Sequence, residues 1–331
     1  MIDAMIPYDP FGYVLSPVMI ALVLLAAALY WRGLSLPRRL GPRPAPWRQA
    51  MFFLGLACIL VATNGPLAPL GHNLFSAHQG EHLLLRLLGP FLIAVSRPWR
   101  QLTAALARPW RQRVAVVGQG QFARWLAHPA VATATLIGAL YMWQVPGLYG
   151  LAQRIAIIEV AAHLIMAAAG VWYFGVLLDL RDPPEGARRG ARLMSGFVVI
   201  VSNILLGALT TLKESVIYAG YQAGTWPGRF SALADETTGG YIIWVPSSMI
   251  MIAAIILIIH GWDVSEDRRW NARYARPFSN SAALEFPETA EELRLKVAMP
   301  NQRMGRTLAF GVLSMFAILM ATALALLSLG E

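Results

Sequence analysis

The chain has 331 residues, 57% of them hydrophobic and 14% charged, with a net charge of +9; its mean hydropathy is +0.53. That balance reads as an integral membrane protein and not a soluble one. It assigns the positive charge to loops flanking apolar spans rather than to a nucleic-acid-binding surface. The single cysteine, Cys58, sits in an apolar run, which excludes an intramolecular disulfide and a Cys-x-x-Cys metal motif. Asp3 and Asp9, with no basic region, precede the first apolar stretch, so the N-terminus does not read as a cleavable signal peptide.

A membrane span needs about 20 mostly apolar residues. Eight stretches qualify in chain order: roughly 12–31, 50–68, 81–96, 129–147, 155–178, 194–213, 239–261 and 307–329. The third is short and contains Arg86, which must snorkel or find a partner. Basic residues alternate between the connections. Arg32, Arg38, Arg39, Arg43 and Arg48 follow the first span; the next connection has no Lys or Arg; Arg97, Arg100, Arg108, Arg111, Arg113 and Arg124 follow the third. The fourth connection holds Arg154, the fifth Arg181, Arg188, Arg189 and Arg192, and the seventh is again rich in Arg. Odd connections are therefore expected on the cytoplasmic side and both termini on the outer side.

The expected fold is all-α: a polytopic transmembrane helix bundle of about eight spans. Seven spans occupy residues 1–261, a cytoplasmic loop covers 262–306, and the last span and an outer C-terminus cover 307–331. Thr289-Ala290-Glu291-Glu292, bracketed by Pro287 and Pro300, has the pattern of a capping box opening a short helix in that loop. Arg97-Pro98-Trp99-Arg100-Gln101 recurs as Arg108-Pro109-Trp110-Arg111-Gln112. On one helix the two Trp would share a face, as on an interfacial helix resting on anionic lipid at the cytoplasmic face. Trp143-Gln144-Val145-Pro146 marks a belt and turn ending span four, and Pro246 a kink in span seven. The sequence contains no P-loop, GxGxxG or HExxH pattern and no defensible Ser-His-Asp set.

The chemistry concentrates in Ser76-Ala77-His78-Gln79-Gly80-Glu81-His82, which leads into Leu83-Leu84-Leu85-Arg86. Helical positions four apart share a face, so His78, His82 and Arg86 form a polar stripe descending into span three. Glu159 and His163 repeat that spacing on span five. At about 1.5 Å per residue, Glu159 falls level with His82 and His163 nearer Arg86. His72 lies on the same outer side, and Asp235 opens the approach to span seven. Imidazoles suit copper and thioethers suit Cu(I), so a copper site is one reading. The plainer one is interfacial histidines bonded to backbone or water, with Glu159 and Arg86 as a buried ion pair joining spans three and five. The span methionines, including Met142, Met166, Met249 and Met251, read mostly as core packing. His128 and His260 fall at the opposite, cytoplasmic ends of their spans.

Three stretches in order carry a family resemblance. Ser76-x-His78-x-x-x-His82-Leu83-Leu84 runs on to Gly89-Pro90 and Arg97-Pro98; His128-Pro129 leads to Trp143-x-x-Pro146-x-x-Tyr149 and His163; Asp235 leads to Gly239-Gly240, Trp244 and Pro246. Together they resemble the CtaG-like family of caa-type cytochrome c oxidase assembly factors, from about Gly65 to about His260. The resemblance implies a non-enzymatic protein of the bacterial inner membrane that works with cytochrome c oxidase subunits and supplies or retains copper for their metal centres. It carries over to His78, His82, His163 and Asp235. It implies copper held transiently by His78, His82 and His163, with Glu81, Glu159 and Asp235 as carboxylate ligands or as partners orienting the imidazoles, and Arg86 beneath them. The chain departs from the family pattern, in which Met often stands at Gln79, Gln at Glu81, His at Gln144 and Glu159, and Glu at Ala162. It therefore has fewer soft ligands and more carboxylates than a typical member.

Two further classes compete. A proton or metal transporter would use Arg86, Glu159 and His163 as an intramembrane relay, but needs polar groups reaching the cytoplasmic side, where spans three and five turn apolar. A b-type haem protein would use His82 and His163 as axial ligands.

Overall fold

The computed structural model describes residues 16–36, 43–181, 186–218, 221 and 231–274, with scattered helical residues between 291 and 317. Every described element is helical, and no strand occurs among the described residues. Compact packing divides the chain into two units, residues 1–255 and residues 256–331.

In the first unit, α1 (Pro17–Ser35) and α2 (Pro46–Asn64) each begin at a proline, whose missing N–H costs nothing in a first turn. Tyr30 of α1 stacks on Phe52 of α2 with ring centroids 4.0 Å apart. The short α3 (Leu67–Gly71) precedes α4 (Phe75–Leu83), a π-helical segment (Leu84–Leu88) and α5 (Gly89–Ser96). These last three form the expected third span as one helical path interrupted by π geometry. Leu85 and Ile93 join Met19, Val23, Phe52, Leu56 and Ile59 in an apolar core shared with α1 and α2.

The repeated Arg-Pro-Trp-Arg-Gln does not lie on one helix. Its first copy opens α6 (Trp99–Ala105) and its second opens α7 (Arg108–Gln119), followed by α8 (Gln121–Leu126). Pro109 explains the break, because its ring clashes with the carbonyl four residues back and it has no N–H to continue α6, so it sits in the first turn of a new helix. Helix α6 packs on α1, with Ala104 and Ala105 buried, whereas no residue of α7 is buried.

Helix α9 (Pro129–Gln144) starts where His128 Nδ1 accepts the Ala130 N–H at 3.3 Å, so this histidine is a helix cap. It ends at the expected turn: α10 (Pro146–Arg154) leaves at 80°. The long helices α11 (Ala156–Leu177) and α12 (Arg189–Leu212) follow. Helix α13 (Ala232–Tyr274) continues through Pro246 and runs past the expected span end at 261. Among the described residues, five helices are long and apolar enough to cross a membrane, or six if the bent α9–α10 pair counts as one span. Exposed Leu22, Leu24, Ile157, Met249 and Ile256 show the apolar outer faces that a bilayer solvates. The chain is a multi-pass membrane protein.

The second unit contains the end of α13 from Ile256 onward and the scattered helical residues. The expected capping box at Thr289–Glu292, apart from helical Glu291, lies outside the described residues. So do both termini and most of the expected last span, 307–329.

Candidate functional site

The site forms where α4 begins. No side chain of α4 caps its own N-terminus. Asp235, on the first turn of α13, does so from 160 residues away. Its carboxylate accepts the Phe75 N–H at 2.7 Å, the Ser76 N–H at 3.2 Å and the Ser76 hydroxyl at 2.5 Å. A carboxylate here meets both the unpaired amides and the positive end of the helix dipole. Asp235 thus fixes the helix that carries His78 and His82, and its oxygens are occupied in doing so. Gly239, one turn further on, lies against the Phe75 ring, and a Cβ there would also press on Gln79 Cγ at 3.3 Å.

Glu236, 1% exposed, organises the loop after α12 in the same way. It accepts the N–H groups of Ile217 at 3.1 Å and Tyr218 at 2.7 Å and pairs with Lys213. Tyr218 is thereby placed to donate to the Gln144 carbonyl at 2.7 Å and to Gln144 Oε1 at 3.1 Å. Gln144 in turn donates to Gln79 Oε1 at 2.7 Å. Burial pushes the Tyr218 phenol up to about 12, so it remains a donor at ordinary pH. Phe75, Tyr149, Tyr218 and Tyr221 form an aromatic cluster beside this chain.

Inside that wall, the His78 and His82 rings stand edge to face with centroids 4.2 Å apart. His78 also meets the Tyr149 ring edge-on at 5.1 Å. His78 Nδ1 pairs with Glu81 Oε2 at 3.2 Å, and His72 Nε2 pairs with Glu159 Oε1 at 3.3 Å. A Cβ at Gly71 would meet the Glu81 carboxylate at 2.6 Å, so any other residue there would push that carboxylate aside. His163, on α11, is 6% exposed and lies within charge-interaction range of His72, His78 and His82. Four imidazoles and two carboxylates therefore lie close enough to interact with one another. No three His, Cys, Asp or Glu side chains among the described residues converge at metal-ligand spacing. His82 Nδ1 is buried without a hydrogen-bond partner among them. The pocket offers adjacent imidazoles but not a closed coordination sphere.

His78, His82, His163, Glu81 and Glu159 are thus brought together, while Asp235 supports them as a helix cap. Glu159 takes His72 as its partner, so the anticipated Glu159–Arg86 pair does not form. Arg86 instead donates through Nη2 to Asn203 Oδ1 of α12 at 3.2 Å. Arg86 lies in the π segment, whose wider turns depart from the spacing of four per face that α-helical geometry assumes. Helix α11 crosses closely here, since a Cβ at Gly170 would lie 2.7 Å from Pro90 Cγ. Polar groups also continue away from the pocket, supplied mainly by α9 and α12. Tyr141 donates to the Ser202 carbonyl at 3.0 Å, Ser195 meets Tyr173 at 3.3 Å, and Ser195 and Thr133 share a hydrogen bond of 2.6 Å.

A family described as cytochrome c oxidase caa3 assembly factor matches residues 28–263, which include this whole pocket. The chain belongs to that family. The curated relatives it resembles include uncharacterized proteins of Mycobacterium bovis and Mycobacterium tuberculosis, each 22% identical over 263 residues, covering 75% of this chain and 38% of theirs. An uncharacterized protein of Mycobacterium leprae is 22% identical over 271 residues, covering 74% of this chain and 40% of its own. The chain spans about two fifths of the length of these relatives. No solved structure matches. The sequence alone gives no role to Asn203 or Glu236 and no partner to His72. Asn203 and Glu236 were legible as polar residues in or beside apolar spans; their partners were not.

Proposed function

We propose that this chain assists maturation of cytochrome c oxidase from the outer face of the bacterial inner membrane, holding copper as cargo among His78, His82 and His163. The observation that carries the reading is the adjacency of the His78 and His82 rings, 4.2 Å apart, with His163 beside them on another helix, in a chain of the oxidase assembly family. Neutral imidazoles are suitable copper ligands. His78 is oriented through Nδ1 by Glu81, which leaves Nε2 for an ion, and His82 Nδ1 has no partner among the described residues. An incomplete ligand set suits a carrier, because the receiving oxidase subunit can supply the missing ligands during exchange. No covalent step is needed, and the protein acts without being an enzyme. Glu159 positions His72, and Asp235 holds the α4 platform. Helix α7, with Trp110 exposed and Arg113 over its ring at 4.9 Å, would rest on anionic lipid at the cytoplasmic face.

Copper titration of detergent-purified protein tests the site. Wild type is expected to bind about one copper per chain with His78→Ala and His82→Ala each at least tenfold weaker; equal binding by all three would remove the assignment.

A second reading, ion translocation, draws support from the polar groups running from Arg86 through Asn203 to Tyr173, Ser195 and Thr133. Proteoliposomes that show copper- or proton-dependent flux, abolished by Arg86→Met, would favour it over assembly alone.

A further inference from the structure

Arg86 has no role in the copper reading, yet it is 2% exposed and sits within an apolar span. Among the described residues its guanidinium donates one hydrogen bond, from Nη2 to the neutral Oδ1 of Asn203. Among the described residues its Nε and Nη1 have no partner, and neither does Nδ2 of Asn203, a residue 1% exposed. All three orphan atoms are pure donors. The groups that interact electrostatically with the guanidinium include His82 and the phenols of Tyr141 and Tyr173, and none of these is a carboxylate. Glu81 and Glu159, the acids of the histidine cluster, are engaged with His78 and His72. The surplus is therefore one of both donors and positive charge. Water could satisfy the N–H groups but would leave a guanidinium uncompensated in a low-dielectric interior, which is the expensive case.

We propose that Arg86 and Asn203, facing each other between the π segment and α12, form a buried binding site for one small monovalent anion, with a halide as its simplest occupant. A monatomic anion accepts N–H groups from several directions and needs no matching geometry of its own, which suits three donors presented by two side chains. Arg86 is carried by the π segment and reaches α12 through Asn203. The site stands whether or not the histidine pocket carries copper.

The test uses the full chain in detergent without copper, at constant ionic strength, exchanging gluconate for bromide. Wild type is expected to show a saturable rise in thermal midpoint of roughly 5 °C, as for a ligand that binds the folded state alone. Asn203→Asp places an internal carboxylate on Arg86, so this variant is expected to fold, to melt at or above the halide-saturated wild type, and to lose the bromide response. Arg86→Met is expected to lose it as well, and Asn203→Leu to weaken apparent bromide affinity at least tenfold. Anomalous scattering from a bromide-soaked crystal should place the ion against both side chains. A wild type that melts at the same temperature in bromide and gluconate would overturn the proposal. So would an Asn203→Asp variant with an undiminished response, or density showing only water at Arg86.

Discussion

Asp235 separates two roles that residue type alone leaves merged. As a carboxylate beside histidines it reads as a ligand; in the fold, its oxygens close the α4 N-terminus. Asp235→Ala is expected to lower stability by about 1–2 kcal/mol, the usual cost of an N-cap, seen as a lower melting midpoint in detergent. Asp235→Asn keeps one acceptor oxygen and should bind copper within about threefold of wild type, whereas a copper ligand would not tolerate the change. Tyr218 gives a pH signature. Its phenol is raised from the usual value of 10 to about 12, so stability from its protonated form is complete below pH 10 and lost as pH rises through 12. Tyr218→Phe is expected to melt lower at pH 8 and to show a shallower alkaline decline between those limits. The histidine stripe was legible because spacing of four on one helix is a local property. The Asp235–Phe75 and Tyr218–Gln144 links were not, because only tertiary structure brings residues so distant in sequence together.

At the scale of elements, the π segment and the glycine that admits α11 set the arrangement. A side chain at Gly170 would drive α11 off Pro90 and the Arg86 backbone. Gly170→Val is expected to cost about 1–3 kcal/mol or more, as overpacking does, and to reduce the folded protein recovered from membranes. Gly138→Ala is the control: nothing lies within 4 Å of its Cβ position, and the change should be neutral or slightly stabilising. Hydrophobic periodicity located the long helices because lipid-facing and buried sides both demand apolar residues. It could not locate the π segment, since Leu84-Leu85-Arg86-Leu87-Leu88 carries no breaker and fits an α-helix equally well. The break between α6 and α7 was available in Pro109, but the exact spacing of the repeat suggested a single helix.

For the whole molecule, the all-helical, multi-pass architecture and the family were both readable from sequence, through composition and through three ordered motifs. Span starts moved by several residues where prolines, not apolarity, decide where helices begin: α1 begins at Pro17 and α2 at Pro46, whereas α9 begins at Pro129 as expected. The pocket is built by α3, α4, α10, α11, the α12–α13 loop and α13 together, so an assembly role at this end depends on the bundle and not on one motif. The most direct measurement is cytochrome c oxidase activity in membranes of cells whose own copy is replaced by the His78→Ala/His82→Ala variant, grown with limiting and with added copper. Activity at least tenfold below wild type under limitation, and restored by added copper, is the expected result. Full activity at limiting copper, with the variant present at wild-type abundance, would contradict a copper-delivery role for the histidine pocket.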